Sequence, residues 1–551
     1  MLSVHQLSKS FGVQPILEKI SFNLNSGEKI GLVGPNGCGK STLLRILVGE
    51  ITADSGSFSI ACPAQQVGYL PQALDLSQEM SIQEYLDQLQ PDPSRLEAEF
   101  QHLAGELVSA PEQPALQARY DALLDEIARA GAGESQLQAI LAAFELDALP
   151  GELRVSALSG GQKTRLGLAG LLLRHPRLFL LDEPTNHLDF AMLDWLESWL
   201  IQSEAAVLIV SHDRLFLDHT ADSIFELDGA THQGRLYPGG YSDYLQTKQA
   251  EKDQQWQEYT DQQTEIKRLQ AAARHYRDLA RFRKGGKADS GDKFAKGFFA
   301  NRGLGTVRRA KSVEKRIETL LTDEKVEKPI QGWQMKMELE SSSSGSRLVL
   351  ALTHLDIGYA KNALITDLNE SIRQGERILL VGPNGCGKTT LLRTLAGLLP
   401  ALGGRVQIGP SIQVGYMAQD QAENLDPHLS VLASFQKVTG MNETNSRNFL
   451  HKYLFSGDEP LLPVEQCSFG MRSRLMLACL VAQGCNFLLL DEPLNHLDIP
   501  SRSQFESALA EFGGTILAVS HDRYFIQRFA TRIWEINAGE LHSVLPELNE
   551  E

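Results

Sequence analysis

Two glycine-rich segments of the sequence end in a lysine followed by a hydroxyl residue. One reads GPNGCGKS and the other GPNGCGKT, and each stands between two apolar runs. Glycines let successive backbone N–H groups turn toward one anion, and the N-terminus of a following helix adds partial positive charge. The lysine neutralises phosphate oxygens, and the hydroxyl suits Mg²⁺, which prefers oxygen ligands. These segments therefore predict two phosphate-binding loops, each between a strand and a helix.

A single segment of this kind is also compatible with an ordinary glycine-rich turn. Its recurrence in the same frame, with the acidic partners described next, favours phosphate binding. The residues predicted to bind phosphate are Gly34, Pro35, Asn36, Gly37, Cys38, Gly39, Lys40, Ser41 and Thr42 in the first loop, and Gly382, Pro383, Asn384, Gly385, Cys386, Gly387, Lys388, Thr389 and Thr390 in the second.

Two apolar runs, FLLDEP and LLLDEP, end in a pair of carboxylates. The first carboxylate of each pair, Asp182 or Asp491, is predicted to hold a magnesium ion through its water shell. The second, Glu183 or Glu492, is predicted to polarise the attacking water, as in metal-assisted phosphoryl transfer. A solvated acidic turn would explain the carboxylates but not their position after an apolar strand in both copies.

These motifs belong to a long internal duplication. The glycine-rich segments lie 348 residues apart, VGYLPQ and VGYMAQ 347 apart, and the DEP and SHDR motifs 309 apart. The first copy therefore has about 38 extra residues around 90–130, whose helical spacing and prolines predict a helical hairpin. We predict a first domain over 1–243, a linker over 244–325, a second domain over 326–545 and a tail over 546–551. The linker is expected to form two helices, roughly Asp243–Phe282 and Ala310–Thr322, and a loop is expected at Ser341–Ser344.

The segment LSGGQ at Leu158–Gln162 is the ABC signature, and with both loops the sequence resembles a pair of ATP-binding cassettes. The resemblance implies an α/β fold with two P-loop ABC domains in tandem. Each would have an α/β core, an antiparallel β subdomain and a helical subdomain, and a long helical hairpin would join them. It also implies ATP and Mg²⁺ as cofactors, with the signature of one domain capping the nucleotide held by the other.

Further roles follow from this resemblance. The glutamine loops that touch Mg²⁺ and the water match Gln72 and Gln419. The switch histidines that contact the γ-phosphate match His212 and His521, which join the two glutamates as catalytic candidates. The implied metal-site residues are Ser41, Gln72, Asp182, Thr389, Gln419 and Asp491.

The same resemblance assigns residues at the edges of the two sites. The D-loop aspartates, through which the sites communicate, match Asp189 and Asp498. The aromatics that stack on adenine match Phe11 and Tyr359, although an aromatic near a strand is equally at home in a core. The signature residues are Ser159, Gly160, Gly161 and Gln162 in the first domain, and Ser468 and Gly470 in the second.

The second signature departs from the family pattern. It reads Cys-Ser-Phe-Gly-Met, so Phe469 replaces a glycine that permits close approach and Met471 replaces a polar side chain. We predict that the site with Lys40 and Glu183 binds ATP but turns over more slowly than the site with Lys388. The alternative is tolerated drift with two equal sites.

Charge is strongly segregated along the chain. The net charge is −17, yet Lys267–Glu318 holds 16 Lys and Arg against 5 Asp and Glu. Such a segment on an acidic body is typical of an RNA-binding element, although a charged helical pair can also be a solvated spacer. Phenylalanines near its bend could stack on unpaired bases. The predicted RNA contacts are Arg274, Arg277, Arg281, Arg283, Lys284 and Lys287.

The whole chain resembles the ABC-F proteins, because it combines fused cassettes, a helical insertion and a basic linker that follows Tyr237–Tyr244. The resemblance implies a monomeric ATPase that occupies the tRNA exit site of the ribosome, with rRNA and peptidyl-tRNA as partners. ATP would close the cassettes and orient the linker, and hydrolysis would release the protein. Members tune translation or confer antibiotic resistance, and the sequence does not choose between these roles.

Two other functions remain open at this point. The chain could energise a separate membrane permease, or it could remodel nucleic acid away from the ribosome. It has no run of 18 apolar residues, which argues against a membrane span, and its N-terminus lacks a secretory layout, so we expect a cytoplasmic protein. The six cysteines form no C-x-x-C pair, and we expect no metal other than Mg²⁺.

Overall fold

The computed structural model describes residues 1–72, 80–89, 100–105, 116, 119–120, 123, 137–186, 188–285, 308–326, 348–359, 362–418, 425–495 and 497–545. Its backbone packs into two compact units. One comprises Met1–Tyr241 together with Gln334–Glu551, and the other comprises Ser242–Trp333. The first unit contains two cassettes, which we name the first cassette (residues 1–241) and the second cassette (residues 348–545).

The first cassette is built on two sheets. Its strands are β1 (Leu2–Phe11), β2 (Gln14–Leu24), β3 (Lys29–Val33), β4 (Ser55–Ile60), β5 (Val67–Leu70), β6 (Leu178–Asp182), β7 (Ala206–Val210), β8 (Ser223–Leu227) and β9 (Gly234–Pro238). An antiparallel sheet has the order β2-β1-β4, and a six-stranded sheet has the order β5-β6-β7-β3-β8-β9. Only β9 runs antiparallel within the larger sheet. The mixture of sheets matches the predicted α/β core with an antiparallel β subdomain.

Three central strands of the larger sheet position the first site. Every residue of β3, β6 and β7 is buried, as expected for parallel strands covered by helices on both faces. β6 and β3 flank β7, with Leu32 opposite Val210 and Asp182 opposite the same residue. Because parallel strands end at one edge of a sheet, the segments that follow these three strands meet there.

The second cassette repeats this arrangement. Its strands are β10 (Leu348–Tyr359), β11 (Asn362–Leu368), β12 (Ser371–Arg373), β13 (Arg377–Val381), β14 (Gly403–Ile408), β15 (Val414–Met417), β16 (Phe487–Asp491), β17 (Thr515–Val519), β18 (Arg532–Asn537) and β19 (Glu540–Val544). The six-stranded order is β15-β16-β17-β13-β18-β19, which is the order of the first cassette element for element. The strand order therefore confirms the duplication seen in the sequence.

Helices cover the two large sheets. In the first cassette they are α1 (Lys40–Val48), α2 (Ile82–Leu89), α3 (Gly160–Leu173), α4 (Phe190–Gln202) and α5 (Arg214–Thr220). The helix α6 (Tyr241–Gly285) follows. In the second cassette they are α7 (Lys388–Leu395), α8 (Val431–Thr439), α9 (Glu443–Lys452), α10 (Phe469–Ala482), α11 (Ile499–Glu511) and α12 (Arg523–Phe529). α1 and α7 begin at the lysines of the predicted phosphate-binding loops.

The unit Ser242–Trp333 contains most of α6 and a second helix over 308–321. Near its base, the side-chain amide of Gln262 donates to the carbonyl of Glu324 and accepts from the backbone N–H of Val326. Further along, Arg277 pairs with Glu314 at 2.7 Å. The partners run in opposite directions along the chain, so the two helices form an antiparallel hairpin. The first helix covers the predicted Asp243–Phe282, and the described part of the second covers the predicted helix from Ala310 to residue 321.

The helical hairpin predicted around 90–130 lies mostly outside the described residues, as does the loop predicted at Ser341–Ser344. Where the insertion is described, its residues are helical, and the rings of Phe100 and Tyr120 stack at 5.3 Å beside buried Leu103 and Leu123. Within the described ranges, none of the helices combines the length and apolar character needed to cross a bilayer.

Candidate functional site

The two phosphate-binding loops have a backbone that only glycine adopts without strain. Gly34 and Gly39 have φ of 154° and 104°, and Gly382 has φ of 151°. A Cβ on Gly34 would lie 2.5 Å from the carbonyl oxygen of Leu227, and one on Gly382 would lie 2.7 Å from a backbone oxygen. The glycines therefore let each loop fold tightly against the strand beside it.

The loop lysines reach back across the loops from the first turn of their helices. Nζ of Lys40 donates to the carbonyls of Gly34 at 2.7 Å and of Pro35 at 3.1 Å. Lys388 repeats both bonds in the second cassette, to carbonyls at 2.7 and 2.9 Å. Both lysines are buried, and burial lowers the pKa of Lys388 against the opposing effect of nearby acidic groups. A positive charge is thus held within each glycine-rich loop.

A hydroxyl and a carboxylate meet beside each lysine. Ser41 hydrogen-bonds to Asp182. Thr389 donates to Asp491 at 3.3 Å. Burial raises the pKa of both carboxyl groups, and these hydrogen bonds oppose the rise. Each pair offers two oxygen donors next to a phosphate-binding loop, which is a donor set that fits Mg²⁺.

The glutamate that follows each aspartate lies beside the predicted switch histidine of its own cassette. Oε1 of Glu183 lies 3.3 Å from Nε2 of His212, and the backbone N–H of His212 donates to Oε2 of Glu183. In the second cassette Glu492 lies 3.8 Å from Nε2 of His521. Burial raises the pKa of Glu183 to about 8, and Lys40 opposes this rise.

The two glutamates also share an unusual backbone. Glu183 has φ of 55° and Glu492 has φ of 49°, in the left-handed region that residues with a side chain seldom adopt. Such strain persists where the surrounding structure imposes it, and it is common at functional sites. The same turn occurs in both copies, so it is a built feature of the strand end rather than an accident of one loop.

Each phosphate-binding loop opens into a cavity, and the two cavities define site 1 and site 2. The cavity of site 1 has a volume of about 440 Å³ and that of site 2 about 530 Å³. Site 1 is lined by Phe11, Ile16, Asn36, Gly37, Gly39, Lys40, Ser41, Thr42, Gln72, Asp182, Glu183, Asn186, Val210, His212 and Arg502. Site 2 is lined by Ser159, Gly161, Arg165, Thr185, Asn186, Leu188, Tyr359, Leu364, Asn384, Gly385, Gly387, Lys388, Thr389, Thr390, Glu492, Asn495 and His521.

Both cavities combine residues of the two cassettes. At site 2, Ser159 and Gly161 of the first signature face the loop of Lys388. At site 1 the described lining from the second cassette is Arg502, and it includes neither Ser468 nor Gly470. The first signature therefore lines the cavity at the opposite phosphate-binding loop, whereas the second signature is not part of the described lining of site 1.

The two signatures also differ in how they start their helices. Ser159 and Gln162 form a reciprocal capping box, in which each side chain accepts from the other residue's backbone N–H. Ser468 caps α10 by accepting from the backbone N–H of Met471, whose thioether cannot return the bond. In the first signature, the polar Gln162 thus supports the start of α3, and Met471 cannot do the same for α10.

The D-loop aspartates start helices as well. Asp498 accepts from the N–H of Ser501 in its own cassette and, through Oδ2, from the N–H of Asn36 in the other at 2.8 Å. Asp189 accepts from Met192 and contributes negative charge near Lys388. The Asp498 contact joins the second cassette directly to the first phosphate-binding loop.

The predicted adenine-stacking residues lie at the rims of the cavities. Phe11 is 53% exposed and Tyr359 is 52% exposed, so each presents a ring to solvent rather than to a core. The hydroxyl of Tyr359 accepts from Thr390 at 3.3 Å, which holds the ring at site 2. Gln72 lines site 1, whereas Gln419 lies outside the described residues.

Of the predicted RNA contacts, Arg274 is exposed and Arg277 forms the ion pair with Glu314. Arg281, Arg283 and Lys284 belong to α6, but their side chains, like all of Lys287, lie outside the described part of the chain. The ion pair of Arg277 with Glu314 therefore also links the two helices of the hairpin.

Sequence reasoning missed several residues at the cassette interface. Arg502 lines site 1, Arg165 lines site 2, and Asn186 lines both. A signal for Arg502 was present in the duplication, because the residue 309 positions earlier is the apolar Leu193. Such an exchange between otherwise matching copies marks a position where the two sites differ.

Comparison with known proteins places these features in context. A family model described as ABC transporter matches residues 17–186 and 365–495, and a second model with the same description matches residues 227–339. ABC transporter F family member 5 of Arabidopsis thaliana is 34% identical, over 100% of this chain and 76% of its own.

Two bacterial proteins match with similar coverage. The tylosin resistance ATP-binding protein TlrC of Streptomyces fradiae is 35% identical, over 98% of this chain and 97% of its own. The energy-dependent translational throttle protein EttA of Mycobacterium tuberculosis is 34% identical, over 97% and 91%. A crystal structure of an archaeal ribosome recycling factor, aABCE1, with the stalk protein aP1 aligns with a TM-score of 0.60 at 20% identity, over 97% of this chain and 89% of that one. At that identity the likeness bears on the fold.

Proposed function

The chain belongs to the ABC-F family of tandem ATP-binding cassette ATPases, and we propose that it acts on the ribosome, either as a translation factor or as a factor that protects the ribosome from an antibiotic. Rupture of the ATP β–γ phosphate bond by water is the reaction of its two sites. The observation that supports a ribosomal partner most directly is the basic hairpin between the cassettes, considered below.

At each site the proposed chemistry follows from the residues around the phosphate-binding loop. Lys40 or Lys388 neutralises the terminal phosphates, and Glu183 or Glu492 orients and polarises the attacking water. The hydroxyl and aspartate pairs at both sites, with Gln72 and Gln419, are the proposed Mg²⁺ residues, and a bound Mg²⁺ would offset charge on the phosphate oxygens. The histidine beside each glutamate, His212 or His521, is proposed to contact the γ-phosphate.

The two sites are proposed to differ in rate. Site 2 is lined by Ser159 and Gly161, which supply a hydroxyl and backbone N–H groups from across the interface. Site 1 has Arg502 in the described lining from the opposite cassette. We expect site 2 to hydrolyse ATP faster and site 1 to hold ATP longer.

Single-turnover hydrolysis in the Glu183→Gln and Glu492→Gln variants tests this difference. Each variant leaves one site with its glutamate, so the remaining rate belongs mainly to that site. We expect the rate that remains in Glu492→Gln, at site 1, to be at least tenfold lower than the rate that remains in Glu183→Gln, at site 2. Tenfold corresponds to about 1.4 kcal/mol in activation free energy. Equal remaining rates would mean that the second signature has drifted without consequence.

The ribosomal proposal rests on the charge of the hairpin. Sixteen Lys and Arg against five Asp and Glu lie between Lys267 and Glu318, and the remainder of the chain has 36 against 64. A basic element on an acidic body concentrates attraction to a polyanion at one place and repels it elsewhere. The name of the translational throttle relative fits a target in translation.

ATP can act in this scheme only through its different affinity for the closed and open cassettes. The closed pair is proposed to bind at the tRNA exit site, with the hairpin directed toward rRNA and peptidyl-tRNA. Hydrolysis then weakens closure and releases the protein.

A sucrose gradient of the Glu183→Gln, Glu492→Gln double variant with ATP tests the partner. The variant should remain closed and sediment with ribosomes, and removal of Lys267–Glu318 from it should abolish this sedimentation. The same deletion in the parent protein, which keeps both glutamates, should leave ATPase activity intact. Sedimentation at the top of the gradient contradicts the proposal. Copurification with membranes would instead favour service to a permease, and duplex DNA binding without ribosomes would favour a remodelling role.

A further inference from the structure

Arg502 is a buried arginine of the second cassette that lines the nucleotide cavity of the first. It lies on α11 and is 8% exposed. Its Nη1 donates to the carbonyl of His212 at 2.9 Å and to Oδ2 of Asp522 at 2.6 Å. Its Nη2 donates to the carbonyl of Leu494 at 3.3 Å. One guanidinium therefore joins segments of both cassettes.

The two ends of this bridge are the switch segments of the two sites. His212 faces Glu183 at site 1, with 3.3 Å between Nε2 and Oε1. Asp522 follows His521, which lines site 2, and caps α12 by accepting from the backbone N–H of Phe525. The bonds to both segments come from the same nitrogen, so a displacement of either segment strains or breaks the bond to the other.

The bridge has no counterpart in the other half of the duplication. The position equivalent to Arg502 is Leu193, which is buried and apolar. The carboxylate equivalent to Asp522 is Asp213, whose pKa burial raises, with Asp522 adding to the rise and Arg502 opposing it. Because leucine offers no hydrogen-bond donor, the first cassette has no side chain at this position that could form the equivalent bridge.

We propose that Arg502 is a positioning residue that couples the two ATP sites, by tying the His212 segment of site 1 to the segment that follows His521 at site 2. Binding or loss of nucleotide at site 2 rearranges the His521 segment, and Arg502 transmits the change to His212. The coupling is reciprocal for binding, so nucleotide at site 1 also alters affinity at site 2. The inference rests on the ATP chemistry proposed for Glu183 and His212, and it is independent of the ribosome.

The test measures hydrolysis at site 1 with and without nucleotide at site 2. In the full-length Glu492→Gln variant, the single-turnover rate belongs to site 1. Adding Lys388→Ala removes nucleotide from site 2, and the ratio of the two rates is the coupling. We expect a ratio of at least about fivefold, typical of coupled sites. In the Arg502→Leu background, which copies the residue of the first cassette, we expect the ratio to fall to one.

Two further variants separate coupling from simple stabilisation. Arg502→Lys keeps the charge but lacks the planar guanidinium, whose Nη2 bond to the Leu494 carbonyl helps to hold Nη1 between the His212 carbonyl and Asp522. It should therefore retain the melting temperature and lose most of the ratio. Arg214→Leu removes another buried cation of the interface that lines neither cavity, so it should lower stability and preserve the ratio. An unchanged ratio in both Arg502 variants overturns the coupling. If neither Glu183→Gln nor Glu492→Gln lowered hydrolysis, the proposed ATP chemistry itself would be overturned.

Discussion

Arg214 of the first cassette donates to Glu506 of the second at 3.0 Å, and the pair recurs with the cassettes exchanged. The residue 309 positions after Arg214 is Arg523, and the residue 309 positions before Glu506 is Glu197. Arg523 donates to Glu197 at 2.7 Å. The closed interface is therefore held by two equivalent ion pairs around an approximate two-fold axis. Both glutamates are largely buried, so each arginine satisfies a carboxylate removed from water.

Loss of one member of the buried pair should cost more than loss of both. Arg214→Leu leaves the carboxylate of Glu506 buried without its cation, and we expect a loss of about 3 kcal/mol in the free energy of unfolding. The Arg214→Leu, Glu506→Leu double variant should recover part of this loss. Thermal melting in a double-mutant cycle measures the effect, and strictly additive changes would show that the pair contributes nothing.

The glycines of the first phosphate-binding loop should differ in their tolerance of alanine. Gly34 and Gly37 both have positive φ, but a Cβ on Gly34 meets the Leu227 carbonyl, whereas one on Gly37 meets nothing within 4 Å. Both variants include backbone strain of about 1–2 kcal/mol, and Gly34→Ala adds a steric clash. We expect the nucleotide-free melting temperature to fall further for Gly34→Ala. Equal melting temperatures would contradict the tight packing of this turn.

Acid should destabilise the second cassette through His521. Burial lowers the pKa of His521 to about 4, with Lys388 adding to the effect. The unfolded histidine takes up a proton below about pH 6.5 and the folded one does not, so stability falls as the pH drops toward 4. The loss between pH 7 and pH 5 is about 2 kcal/mol. Melting temperatures of His521→Gln should show a shallower pH dependence, while the exposed control His5→Gln should follow the parent; parallel curves for all three would refute the prediction.

The ion pair in the hairpin should modulate RNA affinity. Arg277 forms an ion pair with Glu314, which partly neutralises its charge, whereas Arg274 is exposed. Glu314→Gln should therefore tighten ribosome binding, and Arg274→Gln should weaken it more than Arg277→Gln does. Pelleting at several salt concentrations measures this, because each lost phosphate contact lowers the salt slope by roughly 0.7–0.9. No change in slope for Arg274→Gln would exclude that residue from phosphate contact.

The duplicated motifs made much of the site predictable. The glycines, lysines and strand-end carboxylates are local in sequence, and a parallel sheet must bring its strand ends together, so their meeting follows from the strand order. The signature Ser159 and its approach to the loop of Lys388 came from family resemblance, since no local rule brings those distant segments together. The linker helices followed from composition and spacing.

The interface contacts were less accessible to sequence reasoning. Arg502 and His212 are 290 residues apart, and which carbonyl a buried guanidinium reaches depends on how two separately folded cassettes pack. The second signature shows a related limit. Ser468 and Gly470 match the serine and glycine of the first signature. Residue identity alone, however, does not determine whether the helix that they begin lines the opposite cavity.

The exchange of roles between Arg214–Glu506 and Arg523–Glu197 also carries a record of ancestry. A cassette that presents both an arginine and a glutamate at these positions is complementary to a copy of itself, so a homodimer of single cassettes could form both pairs before any gene fusion. In such a homodimer every substitution appears twice. In one chain that carries both copies this constraint is absent, so the two ion pairs can be kept while equivalent positions such as Leu193 and Arg502 differ.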